Sequence, residues 1–409
     1  MEDLIEQSEE ELKDLYKELD KIAEFNQEKV LNAFRKYRIS ERHFASTNGY
    51  GYGDVGRDTL YKVIAEIFGG EDGIITPYIA CGSHALSLTL FALLRHAGQK
   101  MLSVTGKPYD TLLEAINGVE GEDIGSLKDY GIIYEQIDLK DNKIDYDAIE
   151  TALKNGKYDL IYLQRSRGYS WRDALSIAEI EKVCKLVRQY DKDVIIMMDN
   201  CYGEFTERLE PVQVGVDVQV GSLQKNCGGG IAQNGGYIVG KHKIIEAVGR
   251  RLYSPSLGLE VGSYAYGYRD FYHGLFMAPH TTKQAQMGCL LMAKTFSKLG
   301  YKAFPNCTYT PRDIVASIEL GSRERLIKLC QILQSYSPVD SFVTPEPCQM
   351  PGYPNEVIMS AGTFISGATI ELSCDAPVRP PYILYVQGGL TYEHIKIVLR
   401  QFIKALKSE

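Results

Sequence analysis

Short apolar segments alternate with amphipathic segments between residues 73 and 240, and this alternation constrains the fold more than any other feature of the sequence. The apolar segments have the length and aliphatic content of buried strands, and the amphipathic segments have helical spacing. The strand-like segments are GIITPYIA, MLSVTG, GIIYEQIDL, YDLIYLQRS, VIIMMDN, VDVQVGSL and GGYIVG. Because strands that alternate with helices form βαβ units, we predict an α/β fold with a mainly parallel sheet buried on both faces.

The flanking regions have different patterns. Residues 1–38 are polar, with apolar residues at three- and four-residue spacing, which predicts a long N-terminal helix. A second long helix is predicted from Pro279 onwards, and it is followed by mixed segments such as DIVASIELG, TIELSC and PYILYVQGG. We therefore predict an N-terminal helical segment (1–45), a large α/β domain (46–280) and a smaller α+β C-terminal domain (281–409).

The charge of the chain is acidic and unevenly distributed. The net charge is -8 and the pI is about 5.6, which argues against the basic stripe of a nucleic-acid-binding protein. The acidic excess lies in residues 1–20. There it predicts the solvated face of a helix whose apolar side consists of Leu4, Leu12, Leu15 and Leu19.

The nine cysteines are scattered along the chain without a CxxC pair, which favours reduced thiols in a cytoplasmic protein. No two cysteines or histidines have the spacing of metal ligands, so we expect no metal site. We expect neither a signal peptide nor a membrane-spanning segment, since no apolar run reaches membrane-spanning length. The expected partner is therefore a small molecule, with neither a nucleic acid nor a membrane.

Lys225 stands in GSLQKNCGGG, among small residues and directly after a predicted strand. Such a lysine could be a surface lysine, a phosphate-binding lysine or a lysine that forms a covalent bond. Lys225 does not belong to a Walker A phosphate-binding motif, because that motif has a glycine directly before a Lys-Ser or Lys-Thr pair. A GxGxxG motif is matched at residues 51–56, but polar residues precede it where a dinucleotide site needs a buried strand. A dinucleotide oxidoreductase remains an alternative.

The remaining hypothesis is a Schiff base between Lys225 and the aldehyde of pyridoxal phosphate. An amine at a strand end in a dry, glycine-lined site is activated by desolvation and by its neighbours. This cofactor also needs a carboxylate that keeps its ring nitrogen protonated. Asp199, at the end of VIIMMDN, would lie at the same edge of the sheet. Taken alone, an aspartate after a strand also fits a turn or a helix cap.

The cofactor's phosphate and ring have candidate partners in neighbouring loops. Gly82, Ser83 and His84 open a helix directly after a strand, where backbone N–H groups bind phosphate, although Ser83 also fits an ordinary N-cap. Ser222 supplies a second hydroxyl close to the lysine. Tyr109 follows another strand in a loop at the same edge, from which its ring could stack on the cofactor.

A substrate carboxylate calls for a guanidinium, because the planar fork of arginine donates two hydrogen bonds to one carboxylate. Arg379 is held between prolines, just before a predicted strand of the second domain. On the pattern alone, Arg379 fits an ordinary surface arginine equally well. Arg57, Arg165 and Arg167 also lie in predicted loops.

Several motifs resemble those of known enzymes. MMDNCYGEF resembles the Asp-Asn-x-Tyr strand end of the cystathionine and methionine lyases, and GSLQKN stands where these fold type I pyridoxal-phosphate enzymes have Ser-x-x-Lys. QRSRGY, DNCYGEF, GSLQKNCGGG and RPPYILYVQGGLTYEH are similar to segments of a family known as methionine gamma-lyase-like or aluminium-resistance proteins. The resemblance runs from about residue 45 to about residue 405.

The resemblance implies the fold type I architecture of the aspartate aminotransferase group, and it implies roles for the candidates. Lys225 would carry the cofactor and then remove the α-proton, and Asp199 would pair with the ring nitrogen. Tyr109 would stack on the ring and move a proton at the leaving sulfur. The residues implied for the phosphate are Gly82, Ser83 and Ser222, and the residue implied for the substrate carboxylate is Arg379.

The chain departs from the family's pattern at one point. Cystathionine-type lyases send a Tyr-x-Arg pair from a neighbouring subunit to the phosphate, whereas this chain has Tyr50 and Tyr52 without an arginine at that spacing. We expect Tyr52 to reach the cofactor and substrate of a neighbouring subunit, with the arginine's role empty or taken by Arg57. A shared site implies at least a homodimer, and the resemblance implies a homotetramer.

These observations together predict a pyridoxal-phosphate-dependent carbon–sulfur lyase of amino-acid metabolism. Its substrate would be a sulfur-containing amino acid of the cysteine, cystathionine or methionine type. Removal of the α-proton and loss of a thiolate from Cβ or Cγ would yield a thiol, a 2-keto acid and ammonia. An aminotransferase or an aldolase would use the same cofactor residues, and the family's aluminium label suggests a non-catalytic metal-tolerance protein as a further alternative.

Overall fold

The computed structural model describes residues 2–350, 353 and 355–407, which form two β-sheets surrounded by helices. The strands are β1 (Asp72–Thr76), β2 (Lys100–Ser103), β3 (Ile133–Gln136), β4 (Leu160–Gln164), β5 (Ile195–Asp199), β6 (Val218–Ser222), β7 (Gly236–Gly240), β8 (Lys302–Phe304), β9 (Val315–Glu319), β10 (Val357–Ser360), β11 (Ser373–Pro377) and β12 (Ile383–Gln387). The helices are α1 (Glu2–Lys36), α2 (Val55–Phe68), α3 (Gly82–Leu93), α4 (Asp110–Asn117), α5 (Tyr146–Asn155), α6 (Ile177–Tyr190), α7 (His242–Leu252), α8 (Arg269–Lys298), α9 (Arg323–Ser335) and α10 (Tyr392–Lys407).

The larger sheet has seven strands in the order β1-β7-β6-β5-β4-β2-β3. Strand β7 runs antiparallel to its neighbours β1 and β6, and the other neighbouring pairs are parallel. Every residue of β4, β6 and β7 is buried, as expected for strands covered by helices on both faces. The prediction of an α/β fold with a mainly parallel sheet is confirmed.

The carboxyl ends of the parallel strands meet at one edge of this sheet. Gln164 at the end of β4 lies in register with Asp199 at the end of β5, and Asp199 lies beside Val220 of β6. Strand β2 pairs with β3 on one side and with β4 on the other, so the direction of strand addition reverses at β2. Open α/β sheets bind ligands outside the carboxyl ends of their strands at such a reversal.

The smaller sheet has five antiparallel strands in the order β10-β11-β12-β9-β8. Successive residues of a strand point to opposite faces, so each strand contributes to two surfaces. One face packs against α8, α9 and α10, and its residues include Ala316, Ile318, Ile358, Cys374, Ala376, Leu384 and Val386. The residues of the opposite face include Val315, Asp375, Tyr385 and Gln387.

Helix α1 packs along α8 and joins the cores of both sheets. Leu12 and Leu19 are buried in the core of the smaller sheet with Leu4 and Leu15 partly buried beside them, which confirms the predicted apolar side. Farther along, Val30 belongs to the core of the larger sheet. The division into domains at residues 45 and 280 stays a prediction, and residue 280 lies within α8. No helix in the described ranges is long and apolar enough to cross a membrane.

Helix α8 begins earlier than the sequence predicts. The pattern predicts a start at Pro279, a residue that suits the first turn of a helix, but α8 begins at Arg269 and contains Pro279. Proline deprives the preceding turn of one hydrogen bond. The side-chain amide of Gln27 on α1 donates to the carbonyl oxygen of Phe276 in that turn at 3.1 Å, so a side chain of α1 is bound to α8 beside the proline.

Strand β11 is also displaced from its predicted position. The sequence predicts a strand at TIELSC, residues 369–374, whereas β11 begins at Ser373. The carboxylate of Glu371 accepts hydrogen bonds from the N–H groups of Phe364 and Ile365 at 2.8 and 2.9 Å. The side chain of Glu371 therefore holds this segment as a loop, whereas the pattern predicts a strand paired with a neighbouring strand. Helix α7 and strand β8 lie outside the segments predicted from the sequence.

Candidate active site

A cavity of about 590 Å³ lies between the carboxyl edge of the larger sheet and the open face of the smaller one. This volume is within the range of small-molecule and cofactor sites. The loops after β2 and β4, the ends of β5 and β6 and the start of α3 form one side of it. The predicted site residues that line the cavity are Gly82, Ser83, Tyr109, Asp199, Ser222, Lys225 and Arg379.

Lys225 enters the cavity from the segment after β6. Its ammonium nitrogen lies 3.6 Å from the ring centroid of Tyr202. Burial lowers the pKa of Lys225, but the nearby side chains of Tyr202, Cys201 and Asp199 raise it, and the net shift is upward. The surrounding groups therefore stabilise a positive charge on Lys225, and the amine must lose a proton before it can act as nucleophile or base.

The glycines after Lys225 permit a close approach of two backbone segments. A Cβ at Gly228 would meet the carbonyl oxygen of Leu223 at 1.7 Å, so only glycine fits there. The side chain of Asn226 donates to the carbonyl oxygens of Tyr202 and Glu204, each at 3.0 Å. The segment that presents Lys225 is thus fixed to the loop after β5.

Asp199 ends β5 and is 3% exposed. Its Oδ1 accepts a hydrogen bond from the backbone N–H of Cys201 at 3.0 Å. Burial raises the pKa of Asp199, while the hydrogen bonds from Cys201 and the charge on Lys225 oppose the shift. A cationic N–H group would stabilise this carboxylate, and the protonated ring nitrogen of pyridoxal phosphate is such a group.

Hydroxyl groups gather where α3 begins. The phenol of Tyr109 donates to Oγ of Ser83 at 2.9 Å, and the backbone N–H of Tyr109 donates to Oε1 of Gln164 at 3.0 Å. A Cβ at Gly82 would lie 3.3 Å from Cβ of Ser222, so glycine lets the first turn of α3 lie against the end of β6. The N–H groups of a first helical turn lack partners within the helix, and together with these hydroxyls they suit a phosphate.

The residues present therefore fit pyridoxal phosphate. An amine, a buried carboxylate, an aromatic ring and a hydroxyl-lined helix start face one cavity of suitable volume. Each group has the chemistry of one part of the cofactor: Lys225 the aldehyde, Asp199 the ring nitrogen and Ser83 the phosphate. The roles of the individual residues stay predictions.

His84 and Tyr52 do not line this cavity. Nδ1 of His84 accepts a hydrogen bond from the N–H of Ala80 at 3.1 Å, so the imidazole closes the turn before α3. Tyr52 is 61% exposed and stacks on Tyr50 with the ring centroids 5.4 Å apart. The predicted contact of His84 with the cofactor, and that of Tyr52 with a neighbouring subunit's cofactor and substrate, stay predictions.

Arg379 and Arg57 have different surroundings. Arg379 follows β11, is exposed, and lines the cavity. Arg57 is 1% exposed, and its guanidinium donates to Oδ1 of Asp58 at 2.9 Å and to the carbonyl oxygen of Gly51 at 3.1 Å. Arg57 thus fixes the glycine–tyrosine loop to the start of α2, and the phosphate role considered for it stays a prediction.

Arg165 and Arg167 connect loops around the cavity. Arg165 donates to Oδ1 of Asn200 at 2.9 Å and to the carbonyl oxygen of Gly203 at 2.8 Å, and so holds the loop after β5. Arg167 donates to both carboxylate oxygens of Asp313 at 2.9 Å. Of the four arginines predicted in loops, only Arg379 lacks an ion pair with an acidic residue in the described part of the chain.

The glycine motif at residues 51–56 is not a dinucleotide fingerprint. A short 3₁₀ helix, Glu41–Phe44, and a loop precede it where a buried strand is required. Asp54 is the N-cap of α2, and its side chain accepts a hydrogen bond from the N–H of Arg57 at 3.1 Å. The dinucleotide alternative is therefore wrong.

Several residues that line the cavity were not predicted as site residues from the sequence. Those with polar side chains include Tyr169, Tyr202, Asp375, Tyr385 and Gln387. Tyr202 follows Asp199 closely in the same strand-end motif, and that position is the signal by which it could have been found. Asp375 offered no such signal, because the predicted strand ends before it.

Comparison with known proteins places the chain in a family. The family described as methionine gamma-lyase matches residues 1–407. The protein YnbB of Bacillus subtilis (strain 168) is 47% identical over 393 residues, which are 96% of this chain and 93% of YnbB. The solved structure of a carbon-sulfur lyase involved in aluminium resistance from Clostridium novyi NT is 44% identical, has a TM-score of 0.94, and covers 99% of this chain and 95% of its own.

A more distant structure identifies the fold. The pyridoxal-5'-phosphate-dependent protein YhfS from Escherichia coli is 15% identical, with a TM-score of 0.63 over 94% of this chain and 96% of its own. At this identity the likeness shows the fold alone, which is that of the fold type I pyridoxal-phosphate-dependent enzymes, as predicted. The match over residues 1–407 and the identity to YnbB show that the chain belongs to the methionine gamma-lyase family.

Proposed function

We propose that this protein is a pyridoxal-phosphate-dependent carbon–sulfur lyase that acts on a sulfur-containing amino acid. The observation that carries the proposal is that Lys225 and Asp199 line one cavity with the hydroxyl-lined start of α3. Membership of the methionine gamma-lyase family supports the lyase reaction. The likeness to the carbon-sulfur lyase from Clostridium novyi supports cleavage of a carbon–sulfur bond.

Lys225, Asp199 and Tyr109 would each carry out a different part of the reaction. When bound, pyridoxal phosphate supplies a ring that accepts the electrons left behind when the α-proton is removed. Lys225 would hold the cofactor through its amine and then act as the base that takes the α-proton. Asp199 would keep a proton on the ring nitrogen. Tyr109, whose pKa is raised by burial, would stay protonated and donate toward the departing sulfur.

Arg379 would hold the substrate by its carboxylate. The guanidinium faces the cavity without an ion pair to an acidic residue among those described, so it can form a bidentate pair with an incoming carboxylate. Cleavage at Cβ or Cγ sends the bonding electrons to sulfur, which takes a proton and leaves as a thiol. Water then releases ammonia and leaves a 2-keto acid.

The proposal includes a second subunit, in a homodimer or a homotetramer. Tyr50, Tyr52 and Tyr266 are 63%, 61% and 88% exposed. Their loops are joined, since Oγ of Ser263 donates to the carbonyl oxygen of Gly49 at 2.7 Å. Exposed aromatic rings close together are typical of protein–protein interfaces. Tyr52 would reach the neighbouring subunit's cavity from this surface.

A further observation favours an enzyme over a metal-tolerance protein. Across the described ranges, no group of three or more His, Cys, Asp or Glu side chains is arranged to hold a metal ion. All nine cysteines are free thiols, which supports action in the reducing cytoplasm. We infer that any part in aluminium resistance, which is stated for the Clostridium novyi protein, would depend on amino-acid chemistry.

The absorbance of the purified protein with pyridoxal phosphate tests the cofactor assignment. We expect a visible band that borohydride removes and that Lys225→Ala lacks, because that variant has no amine to bond the aldehyde. Lys62→Ala, which removes an exposed lysine on α2, is the matched control and should keep the band. A band of equal strength in Lys225→Ala would show that the assignment is wrong.

A substrate panel tests the reaction. Cysteine, cystathionine, methionine and homocysteine are offered singly, and the 2-keto acid and the released sulfur product are measured. That product is hydrogen sulfide from cysteine and homocysteine, and a thiol from the other two. We expect both products from at least one of the four without any amino acceptor. An aminotransferase would instead consume an acceptor and release no sulfur product. The absorbance band without a released sulfur product from any of the four would contradict the lyase proposal.

A further inference from the structure

The cavity wall formed by the smaller sheet carries a carboxyl group, that of Asp375. Cys374 and Ala376 on either side of it are buried in the core behind the sheet. Because successive strand residues point to opposite faces, Asp375 faces the cavity. The residue directly opposite on β12 is Tyr385, which also lines the cavity.

The surroundings of Asp375 do not pair its charge. The ring of Tyr169 lies 5.0 Å from that of Tyr385 and 6.0 Å from that of Tyr353, measured between centroids, and this aromatic group borders the carboxyl. No basic residue in the described part of the chain forms an ion pair with Asp375. Burial raises the pKa of Asp375 to about 6, against the opposing effects of Tyr169 and Lys225.

The charge of Asp375 is hard to explain by a contribution to folding stability. A partly buried carboxylate without an ion pair is unfavourable, and an asparagine would fit the same position without a charge. Such a group in a cleft is more typical of ligand binding than of structure. Arg379, of opposite sign, lies farther along the same chain segment, at most about 14 Å away between Cα atoms. The wall therefore offers a guanidinium near its rim and a carboxyl deeper inside.

We propose that Asp375 selects the substrate by the group at the far end of the substrate's side chain. It favours an amino acid whose side chain ends in an ammonium or another hydrogen-bond donor. A side chain ending in a carboxylate would meet a like charge and be disfavoured. This inference rests on the proposed function, because it assumes an amino acid held at its carboxylate by Arg379. It adds the chemical class of the substrate's distal group, which the cofactor residues leave open.

Binding of three unreactive amino acids tests the selection without turnover. Ornithine, norleucine and 2-aminoadipate share three methylene groups and end in an ammonium, a methyl and a carboxylate. We expect the holoenzyme, at pH 8, to bind ornithine about 10- to 100-fold more tightly than 2-aminoadipate, as for a hydrogen bond to a charged group. In Asp375→Asn this ratio should fall to within a few-fold.

Asp340→Asn is the matched control. It replaces an exposed carboxylate in the same part of the chain by the same amide, and it should leave the ratio unchanged. Because the ratio compares two ligands on the same protein, a variant that binds both ligands more weakly by the same factor keeps the same ratio. A ratio near one in the wild type, or an equal ratio in Asp375→Asn, would overturn the inference.

Turnover of three matched thioethers separates this inference from the proposed function. S-(2-aminoethyl)cysteine, S-propylcysteine and S-(2-carboxyethyl)cysteine differ only in the same terminal group. Keto acid released at rates whose order Asp375→Asn does not alter would overturn the inference and leave the lyase proposal standing. No keto acid from any thioether, with the binding ratio still dependent on Asp375, would count against β-elimination and support the selection.

Discussion

The ammonium nitrogen of Lys225 lies 3.6 Å from the ring centroid of Tyr202, and the hydroxyl of Tyr202 donates to Oε1 of Gln387 at 3.1 Å. Tyr202 belongs to the loop after β5, and Gln387 ends β12. One side chain therefore connects Lys225 to both sheets. The backbone of Tyr202 has a φ of +69°, a region that non-glycine residues rarely adopt, so tertiary contacts hold this loop.

The Tyr202–Gln387 hydrogen bond should couple the two sheets energetically. In a double-mutant cycle of Tyr202→Phe and Gln387→Met, we expect a coupling free energy of about 0.5–1.5 kcal/mol, because the ring and its contact with Lys225 remain while the hydrogen bond is lost. Urea denaturation of the wild type, both single variants and the double variant measures it. Strict additivity would mean that the bond contributes nothing to stability.

Asp199→Asn should weaken the hold on the cofactor and slow removal of the α-proton. The amide keeps the shape of the side chain but has no charge to stabilise a protonated ring nitrogen. We expect exchange of the substrate α-proton with solvent to fall about a hundredfold or more, as for loss of other preorganised charges. Cofactor retained after dialysis gives a second readout.

Asp193→Asn provides the matched control for that variant, since Asp193 is exposed near the opposite end of β5. It should exchange the α-proton and retain the cofactor as the wild type does. An exchange rate in Asp199→Asn equal to that of Asp193→Asn would exclude Asp199 as the partner of the ring nitrogen.

Gly228→Ala should disrupt the segment that presents Lys225. The added Cβ would meet the carbonyl oxygen of Leu223 at 1.7 Å, so the backbone must move. We expect a loss of stability of about 2 kcal/mol or more and loss of the borohydride-sensitive band. Gly156→Ala, whose Cβ would make ordinary contacts no shorter than 3.4 Å, should fold and keep the band. Equal urea midpoints for the two variants would show that the backbone relaxes freely.

Asp375→Asn should stabilise the protein more at pH 8 than at pH 5. The folded pKa of about 6 lies above the usual value of about 3.9, so the folded state holds the proton more tightly than the unfolded state. The wild type therefore loses stability as the pH rises from about 4 to about 6, and it loses little more above that range. The gain in the variant should be about 1 kcal/mol larger at pH 8, measured from urea midpoints.

The titratable groups facing Asp375 are Lys225, Tyr169, Tyr353 and Tyr385, and the uncharged Gln387 also contacts it. These groups are the same in both proteins, so their own titration largely cancels. Asp340→Asn, which changes an exposed carboxylate, should show no such dependence on pH. A gain that is the same at both pH values would mean that Asp375 has an ordinary pKa.

Much of the larger sheet and of its edge could be predicted, because the information is local. A continuous apolar run ends where the chain leaves the sheet, and Asp199 and Lys225 follow such ends. Parallel strands place their carboxyl ends together, so the cavity could be expected at that edge. Helix α8 shows the limit of this reasoning, since it continues through Pro279 where the local pattern predicts its start.

The smaller sheet shows what local patterns omit. Alternation along β11 and β12 distinguishes two faces, but nothing in the alternation says which face meets the helices and which meets the cavity. Asp375 and Gln387 become site residues only because the smaller sheet packs opposite the edge that carries Lys225.

Local patterns along the chain account for the α/β fold and for the polar strand ends that carry Lys225, Asp199 and Ser222. Each of these depends on neighbouring residues in the chain: on the period of apolar side chains and on where that period stops. The side chains that oppose them across the cavity are set by tertiary packing. Pairing of Tyr202 with Gln387 and the placement of Asp375 depend on packing between segments far apart in sequence, which no local pattern encodes.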